Sequence, residues 1–382
     1  MPQNDNHCPT PRYRRIVVKA GTSVLTGGTD RLDLEIMTAL VGQIARLHAQ
    51  GVEAILVTSG AIAAGRDVLG IGREERRGVP LRQVMAAIGQ SRLMHAYEQL
   101  FGWHGISVAQ ALITRHDLED RQGYLNVGNT LRALLEHRVV PVVNENDVVA
   151  VEEIGEAVFG DNDNLSALVA NLVDADLLAI LTDTGGLYTA DPHQDPESQL
   201  IRRVERVDAP IEALAAAHRN AVSRGGMPAK LEAARLATAS GIAVIIADGR
   251  ERDVLLRIAE GQEVGTFFVP TATRLESRKR WMLSGLASSG GEIVVDSGAV
   301  AALRKQNRSL LAAGVRGVWG EFQRGDVVYI VDGGGQRVAC GIANYSSQEV
   351  QRIQGARSDR IAGLLGRSYG AEVVHRNNMV LL

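Results

Sequence analysis

From Ile16 to about Ile246, short runs of β-branched and aliphatic residues alternate with longer stretches of helical period, and this alternation is what most restricts the fold. Ile16, Val17 and Val18 form the first run. Leu32, Ile36, Leu40, Ile44 and Leu47 then recur at spacings of three and four, an apolar stripe on one helix face that ends at Gly51. Further strand-like runs lie at 54–57, 139–143, 177–181 and 243–246, and each is almost continuously apolar, as a strand must be when helices cover both faces of its sheet. Helical stretches are expected at 81–100, 125–137, 164–172 and 229–240. Right-handed crossovers assemble such pieces into an α/β fold, an αβα sandwich with a mainly parallel sheet, whose ligands sit at the carboxyl ends of the strands.

The pattern changes after Pro270. Short strand-like runs at 291–295, 327–331 and 373–374 are separated by Gly-rich turns such as Gly333-Gly334-Gly335, which predicts a small β-rich domain. The expected organisation is a polar leader at 1–11, a first domain at 12–270, a linker at Thr271-Ala272-Thr273 and a second domain at 275–382. A chain of 382 residues is long enough for two cores. Its net charge of -3 excludes a chain basic throughout, although the part after Leu275 carries about 14 Lys and Arg against about 9 Asp and Glu, a mildly basic balance. Cys8 and Cys340 are the only cysteines, too few for a disulfide framework or a metal cluster, so a reducing cytoplasm is expected. The leader has no apolar core and no uncharged apolar stretch nears the roughly 20 residues needed to span a bilayer, so neither export nor membrane insertion is expected.

Several strand ends carry small, polar or charged residues. In Lys19-Ala20-Gly21-Thr22-Ser23 a strand stops at a glycine beside a fixed positive charge; the run suits a phosphate, or is a Gly-Thr turn with a solvated lysine. It lacks Walker A spacing. Thr58-Ser59-Gly60 and the small residues up to Gly65 require a close approach to the backbone, either by a carboxylate ligand or by a tightly packed helix. Asn144-Glu145-Asn146-Asp147 ends another apolar run, with Asp147 a candidate partner for an ammonium group. Asp161-Asn162-Asp163-Asn164 reads as a helix start with Asp163 or Asn164 as cap, and its remaining polar groups could hold a cation, position lysines or face solvent. Thr182-Asp183-Thr184-Gly185-Gly186 leaves a strand through a turn that could carry a nucleotide. In Arg224-Gly225-Gly226-Met227-Pro228-Ala229-Lys230, glycines precede a helix whose N-terminal dipole favours anions; a surface loop is the plainer reading. The histidines, His48, His95 and His137 among them, show no metal-ligand spacing.

Taken in this order, these motifs resemble the amino-acid kinase family, and in particular its members that phosphorylate the side-chain carboxylate of L-glutamate to L-glutamyl 5-phosphate, the first step of proline biosynthesis. The resemblance runs from about Ile16 to the C-terminus; Glu276-Ser277-Arg278-Lys279-Arg280-Trp281 is similar to the start of the family's C-terminal PUA domain. It implies ATP with Mg2+ carried mainly by the ATP phosphates. It implies that Lys19, Thr182, Asp183 and Arg224, Gly225, Gly226, Met227, Pro228, Ala229 and Lys230 bind ATP. Ser59, Asp147 and Asn162 would hold glutamate, and Asp163 would orient Lys19 and Lys230, the three catalytic residues. The family usually has threonine where this chain has Arg224 and Ala229, which removes a hydroxyl and adds a cation near the phosphates. Proline as a feedback inhibitor, a homo-oligomer (dimer or tetramer) and a downstream glutamyl phosphate reductase are further implications.

The chemistry would need no general base, because a glutamate side chain with a reference pKa of about 4.3 is already ionised at neutral pH. The difficulty is repulsion between two anions, which lysines and magnesium would offset, with Asp161 and Asp163 organising them. Three rivals stand beside this reading: a family member acting on aspartate, N-acetylglutamate or a nucleoside monophosphate; an RNA-binding protein, for which the lysines and the acidic cluster have no use; and a regulatory pseudokinase.

Overall fold

The computed structural model describes residues 11–71, 79–150, 162–192, 194–217, 226–273, 291–306 and 308–382. Two compact units emerge, one of residues 1–118 with 128–271 and one of residues 119–127 with 272–382. The second thus takes in nine residues that the sequence reading left inside the first domain.

The first unit is built on an eight-stranded sheet. Its strands are β1 (Arg15–Ala20), β2 (Glu53–Val57), β3 (Val108–Ile113), β4 (Val140–Glu145), β5 (Leu177–Thr182), β6 (Arg203–Val204), β7 (Ala243–Asp248) and β8 (Thr266–Phe268), in the order β3-β4-β2-β1-β5-β7-β8-β6. All neighbours pair parallel except β7 with β8. Helices are α1 (Thr22–Leu25), α2 (Leu34–Ala49), α3 (Ala61–Leu69), α4 (Val79–Gly102), α5 (Arg115–Glu119), α6 (Arg121–Glu136), α7 (Asn162–Leu172), α8 (Ala209–Ala217), α9 (Met227–Ala239) and α10 (Val254–Ala259). This is the mainly parallel α/β architecture that the alternating runs predict.

Burial explains the strands' composition. Every residue of β5 is buried, and β1 is buried from Ile16 onward, so both are apolar on both faces until their carboxyl ends, where Lys19 and Thr182 stand. Edge strand β3 is only partly buried and tolerates Gln110. Helix α2 starts where the Asp33 carboxylate accepts from the amides of Glu35 and Ile36, and its stripe of Met37, Leu40, Val41, Ile44 and Leu47 enters the main core with Leu93, Tyr97 and Phe101 of α4. The chain leaves α2 through Gly51 at φ +86°.

Helices α3 and α4 meet backbone to backbone. A Cβ at Gly65 would lie 1.8 Å from the Met85 carbonyl oxygen, and one at Gly89 would lie 1.7 Å from that of Ala61. Of the two explanations for the small residues at 60–65, helix packing therefore accounts for Gly65, and the packed element is α4. Gly60 has a different role, turning the chain into α3 at φ +99°. Gly89→Ala forces these helices apart and is expected to destabilise the protein by about 2 kcal/mol or more, read as a lower melting temperature and urea midpoint; an unchanged midpoint would contradict the contact.

The second unit holds a five-stranded sheet in the order β11-β9-β12-β13-β15, made by β9 (Glu292–Val295), β11 (Val315–Trp319), β12 (Val327–Val331), β13 (Arg337–Ile342) and β15 (Met379–Leu381). A separate pair joins β10 (Leu310–Leu311) to β14 (Glu372–Val374). The β12–β13 hairpin turns at the glycines, where Asp332 Oδ1 accepts from the amides of Gly334 and Gln336 and Gly335 takes φ +81°. Its core gathers Ile293, Val295, Val328, Ile330, Val338 and Tyr345, and Leu125 joins Val327, Cys340, Ile342 and Val380 in a smaller cluster. No helix among the described residues is long and apolar enough to cross a membrane.

Candidate active site

Strand β1 runs centrally between β2 and β5, and the chain passes from β1 to β2 on one side and from β4 across to β5 on the other. In an open parallel sheet, such a reversal of strand order opens a crevice at the carboxyl ends. Lys19 lies near the end of β1, opposite Val57 of β2 and Ile180 of β5. Helix α7 packs on β1, β5 and α9; its buried residues include Leu165, Val169 and Ala170, and those of α9 include Leu231, Ala233 and Ala234.

That packing brings two lysines onto one carboxylate. Lys19 Nζ lies 2.5 Å from Asp163 Oδ1, and Lys230 Nζ donates to Asp163 Oδ2 at 3.0 Å. The Asp163 side chain is wholly buried, and those of Lys19 and Lys230 are only 5% and 12% exposed. The two cations outnumber the one anion, so the trio keeps a net positive charge in a place with little water to screen it. Asp163 sits in the first turn of α7, where the helix dipole also favours a carboxylate. Gly21 lies beside the ammonium: a Cβ there would be 3.4 Å from Lys19 Nζ, in ordinary van der Waals contact.

Beside the trio lies an amide network. Asn162, the residue before Asp163, donates its Nδ2 to Ser59 Oγ at 3.0 Å and to Asn144 Oδ1 at 3.2 Å. Asn144 Nδ2 in turn donates to Gln90 Oε1 at 2.8 Å. Asn144 is 2% exposed and Ser59 9%, while Asn162 Oδ1 is buried with no hydrogen-bond partner among the described residues. A buried acceptor without a donor is costly, and a ligand's N–H would satisfy it. Asp147 follows β4 in a turn, half-buried, with no ion pair or hydrogen bond among the described residues. Burial pushes its carboxyl up to about 6 from the ordinary 3.8.

On the other side of β1, Thr182 ends β5 and its hydroxyl donates to Asp183 Oδ1 at 3.1 Å. Arg250, just past β7, donates to the Asp183 carbonyl at 2.5 Å and pairs with Asp248 at 2.8 Å. Gly226 caps α9 without a side-chain hydrogen bond, and Met227, Pro228, Ala229 and Lys230 form its first turn. The structure thus joins Lys19, Asp163 and Lys230, and joins Ser59 to Asn162. Among the described residues, Thr182, Asp183 and Asp147 share no hydrogen bond or ion pair with either group. Arg224, Gly225 and Asp161 lie outside the described residues. The sequence shows Asn144 as part of the polar cluster that ends β4 but gives no role to Gln90 or Arg250, whose only signal is polarity within a helix or just past a buried strand, which is common on surfaces too. No group of three or more His, Cys, Asp or Glu among the described residues could hold a metal ion.

A parallel α/β sheet with paired lysines at its switch point, one of them in the first turn of a helix, is suited to a phosphoryl donor, and the comparisons with known proteins name the class. The chain belongs to the amino acid kinase family, whose profile matches residues 14–248; that of the PUA domain matches residues 291–365. More narrowly, the chain is 54% identical to the glutamate 5-kinase of Dehalococcoides mccartyi strain CBDB1, over 97% of this chain and 99% of that one. It is 52% identical to the glutamate 5-kinase of Herpetosiphon aurantiacus, over 96% and 98%. Among solved structures, the uridylate kinase of Archaeoglobus fulgidus is 17% identical with a TM-score of 0.46, covering 66% of this chain and 99% of that one.

Proposed function

We propose that this protein transfers the γ-phosphoryl group of ATP to the side-chain carboxylate of L-glutamate, releasing ADP and L-glutamyl 5-phosphate. The observation that carries the reading is the pair of ammonium groups on opposite oxygens of Asp163, next to an amide network with an unsatisfied acceptor. The names of the similar proteins supply the acceptor, glutamate.

One carboxylate oxygen attacks the γ-phosphorus, the bond to the β,γ-bridging oxygen breaks, and no proton is transferred. Lys19 and Lys230 draw the two anions together and stabilise charge that builds on the transferring oxygens. Asp163 holds the lysines apart from each other and aimed at one point. Both of its oxygens are engaged by lysines, so magnesium, which would offset charge on the phosphates, would be held mainly by the nucleotide rather than by Asp163. Thr182, Asp183 and the 224–230 segment hold the nucleotide. Asn162 Oδ1 and Asp147 accept from the substrate ammonium, and Ser59 faces a carboxylate. Proline competing at the amino-acid pocket, a homo-oligomeric enzyme, a cytoplasmic setting and a reductase that consumes the labile acyl phosphate complete the proposal.

The test is ADP release by the full chain with MgATP and, in turn, L-glutamate, L-aspartate, N-acetyl-L-glutamate and UMP, then with proline added to the preferred acceptor. Glutamate-dependent release is expected. Release with another acceptor alone would replace the substrate, and failure to bind MgATP would favour a pseudokinase.

A further inference from the structure

We propose that Gln90 is a positioning residue for the amino-acid pocket: its side-chain carbonyl fixes the amide of Asn144, and through it that of Asn162, so that Asn162 Oδ1 is left to accept from the substrate ammonium. The inference rests on the carboxylate-kinase reading above and deepens it.

An asparagine amide has an acceptor end and a donor end, and turning it over exchanges them. Asn162 directs its Nδ2 at both Ser59 Oγ and Asn144 Oδ1, which leaves its own Oδ1 without a partner among the described residues. Asn144 can offer Oδ1 to Asn162 only if its Nδ2 points the opposite way, and there Gln90 Oε1 receives it at 2.8 Å. At 2% exposure Asn144 has little access to water as a substitute. Remove the acceptor at 90 and Asn144 Nδ2 becomes a buried donor without its partner, which disfavours this orientation of the amide. Replace it with a donor and Asn144 turns over, its Nδ2 meeting Asn162 Nδ2. Asn162 must then turn as well, and it presents N–H groups to the ammonium it should accept from.

The backbone places Gln90 for this role. It follows Gly89, which α4 seats against the Ala61 carbonyl with no space for a Cβ. The same helix contact that explains the glycines therefore fixes where residue 90 leaves the helix, facing the end of β4.

The experiment is steady-state ADP release by the full chain, with glutamate and ATP titrated separately. Wild-type turnover comes first: absence of glutamate-dependent turnover would overturn the functional reading, and this inference with it. Given turnover, Gln90→Glu, which keeps an acceptor oxygen, is expected within about threefold of wild type in the KM for glutamate. Gln90→Met, of similar length but with no acceptor, is expected to raise it about tenfold, the equivalent of about 1.4 kcal/mol, with kcat and the KM for ATP within about twofold. Gln90→Lys, a donor only, is expected to be worse than Gln90→Met. Should Gln90→Met not fold, the Glu and Lys variants make the same comparison. The inference is overturned if the Glu and Lys variants behave alike, if Gln90→Met leaves the KM for glutamate unchanged, or if both KM values rise together with a fall in melting temperature.

Discussion

Lys19→Ala is expected to lower kcat by about two to three orders of magnitude, the usual loss when one preorganised charge-stabilising donor is removed, while the KM for glutamate stays within a few-fold. Lys230→Ala should behave in the same way. The asymmetry follows from the proposed division of roles: both ammonium groups are on Asp163, whereas the proposal gives the reading of the amino acid to Asn162, Ser59 and Asp147. An alanine at either position also leaves Asp163 paired with the remaining lysine, so the buried carboxylate keeps a counter-ion and the fold should survive. Asp163→Ala is different in kind, because it strands two neighbouring cations with little solvent; loss of a buried partner of this sort costs about 3–5 kcal/mol, and a fall in melting temperature should accompany the loss of turnover. Lys19→Arg should not rescue activity. Lys19 is 4% exposed and its compact ammonium meets Asp163 Oδ1 at 2.5 Å, a point contact that a larger planar guanidinium does not reproduce. Steady-state kinetics in both substrates, with melting curves, checks all of these. Turnover equal to wild type in either alanine variant would remove the lysines from the mechanism.

The individual pieces of this site can be read from the sequence because each is a local event. A buried strand is continuously apolar, so a lysine or a polar cluster at its end stands out, as at Lys19, Asn144 and Thr182. Convergence is not local: nothing near Lys230 records that α7 and α9 pack so as to place it on Asp163. The missed elements have physical reasons as well. Strand β3 lies at the sheet edge, is only partly buried and admits Gln110, so its apolar run is broken. Strands β6 and β8 are two and three residues long, below the length at which periodicity has meaning. Helix α3 carries Ala and Gly where a stripe would carry bulk, since its packing surface is the backbone of α4. Gln90 was invisible for the same reason: its importance lies in one hydrogen bond to a strand in another part of the chain. Arg250, bonded to the Asp183 carbonyl, is a second case.

Asp147→Asn is expected to raise the KM for glutamate by about a hundredfold, a loss of roughly 3 kcal/mol within the range for a buried charge-assisted pair, with little change in the KM for ATP. The wild-type pH profile should report the same group. Burial raises the Asp147 carboxyl to about 6, and only its ionised form can pair with an ammonium, so the KM for glutamate should climb as pH falls through 6. Free glutamate confuses this window little: its amino group stays protonated throughout, and its side chain, with a reference pKa of about 4.3, is still mostly ionised at pH 5. Stability runs the other way. A carboxyl whose folded pKa lies above its unfolded value of 3.8 favours folding at low pH, and that contribution is lost as pH rises through about 6. At neutral pH the folded protein therefore holds a charge without an ion pair among the described residues, at a cost of at most about 3 kcal/mol, which the proposed pairing with the glutamate ammonium would relieve. Asp147→Asn should accordingly melt higher than wild type at pH 7.5 without substrate, gain less from added glutamate, and flatten the pH dependence between 5 and 7. A variant that binds glutamate poorly because its fold is damaged would melt lower instead, so the paired measurements separate loss of the ammonium partner from loss of structure.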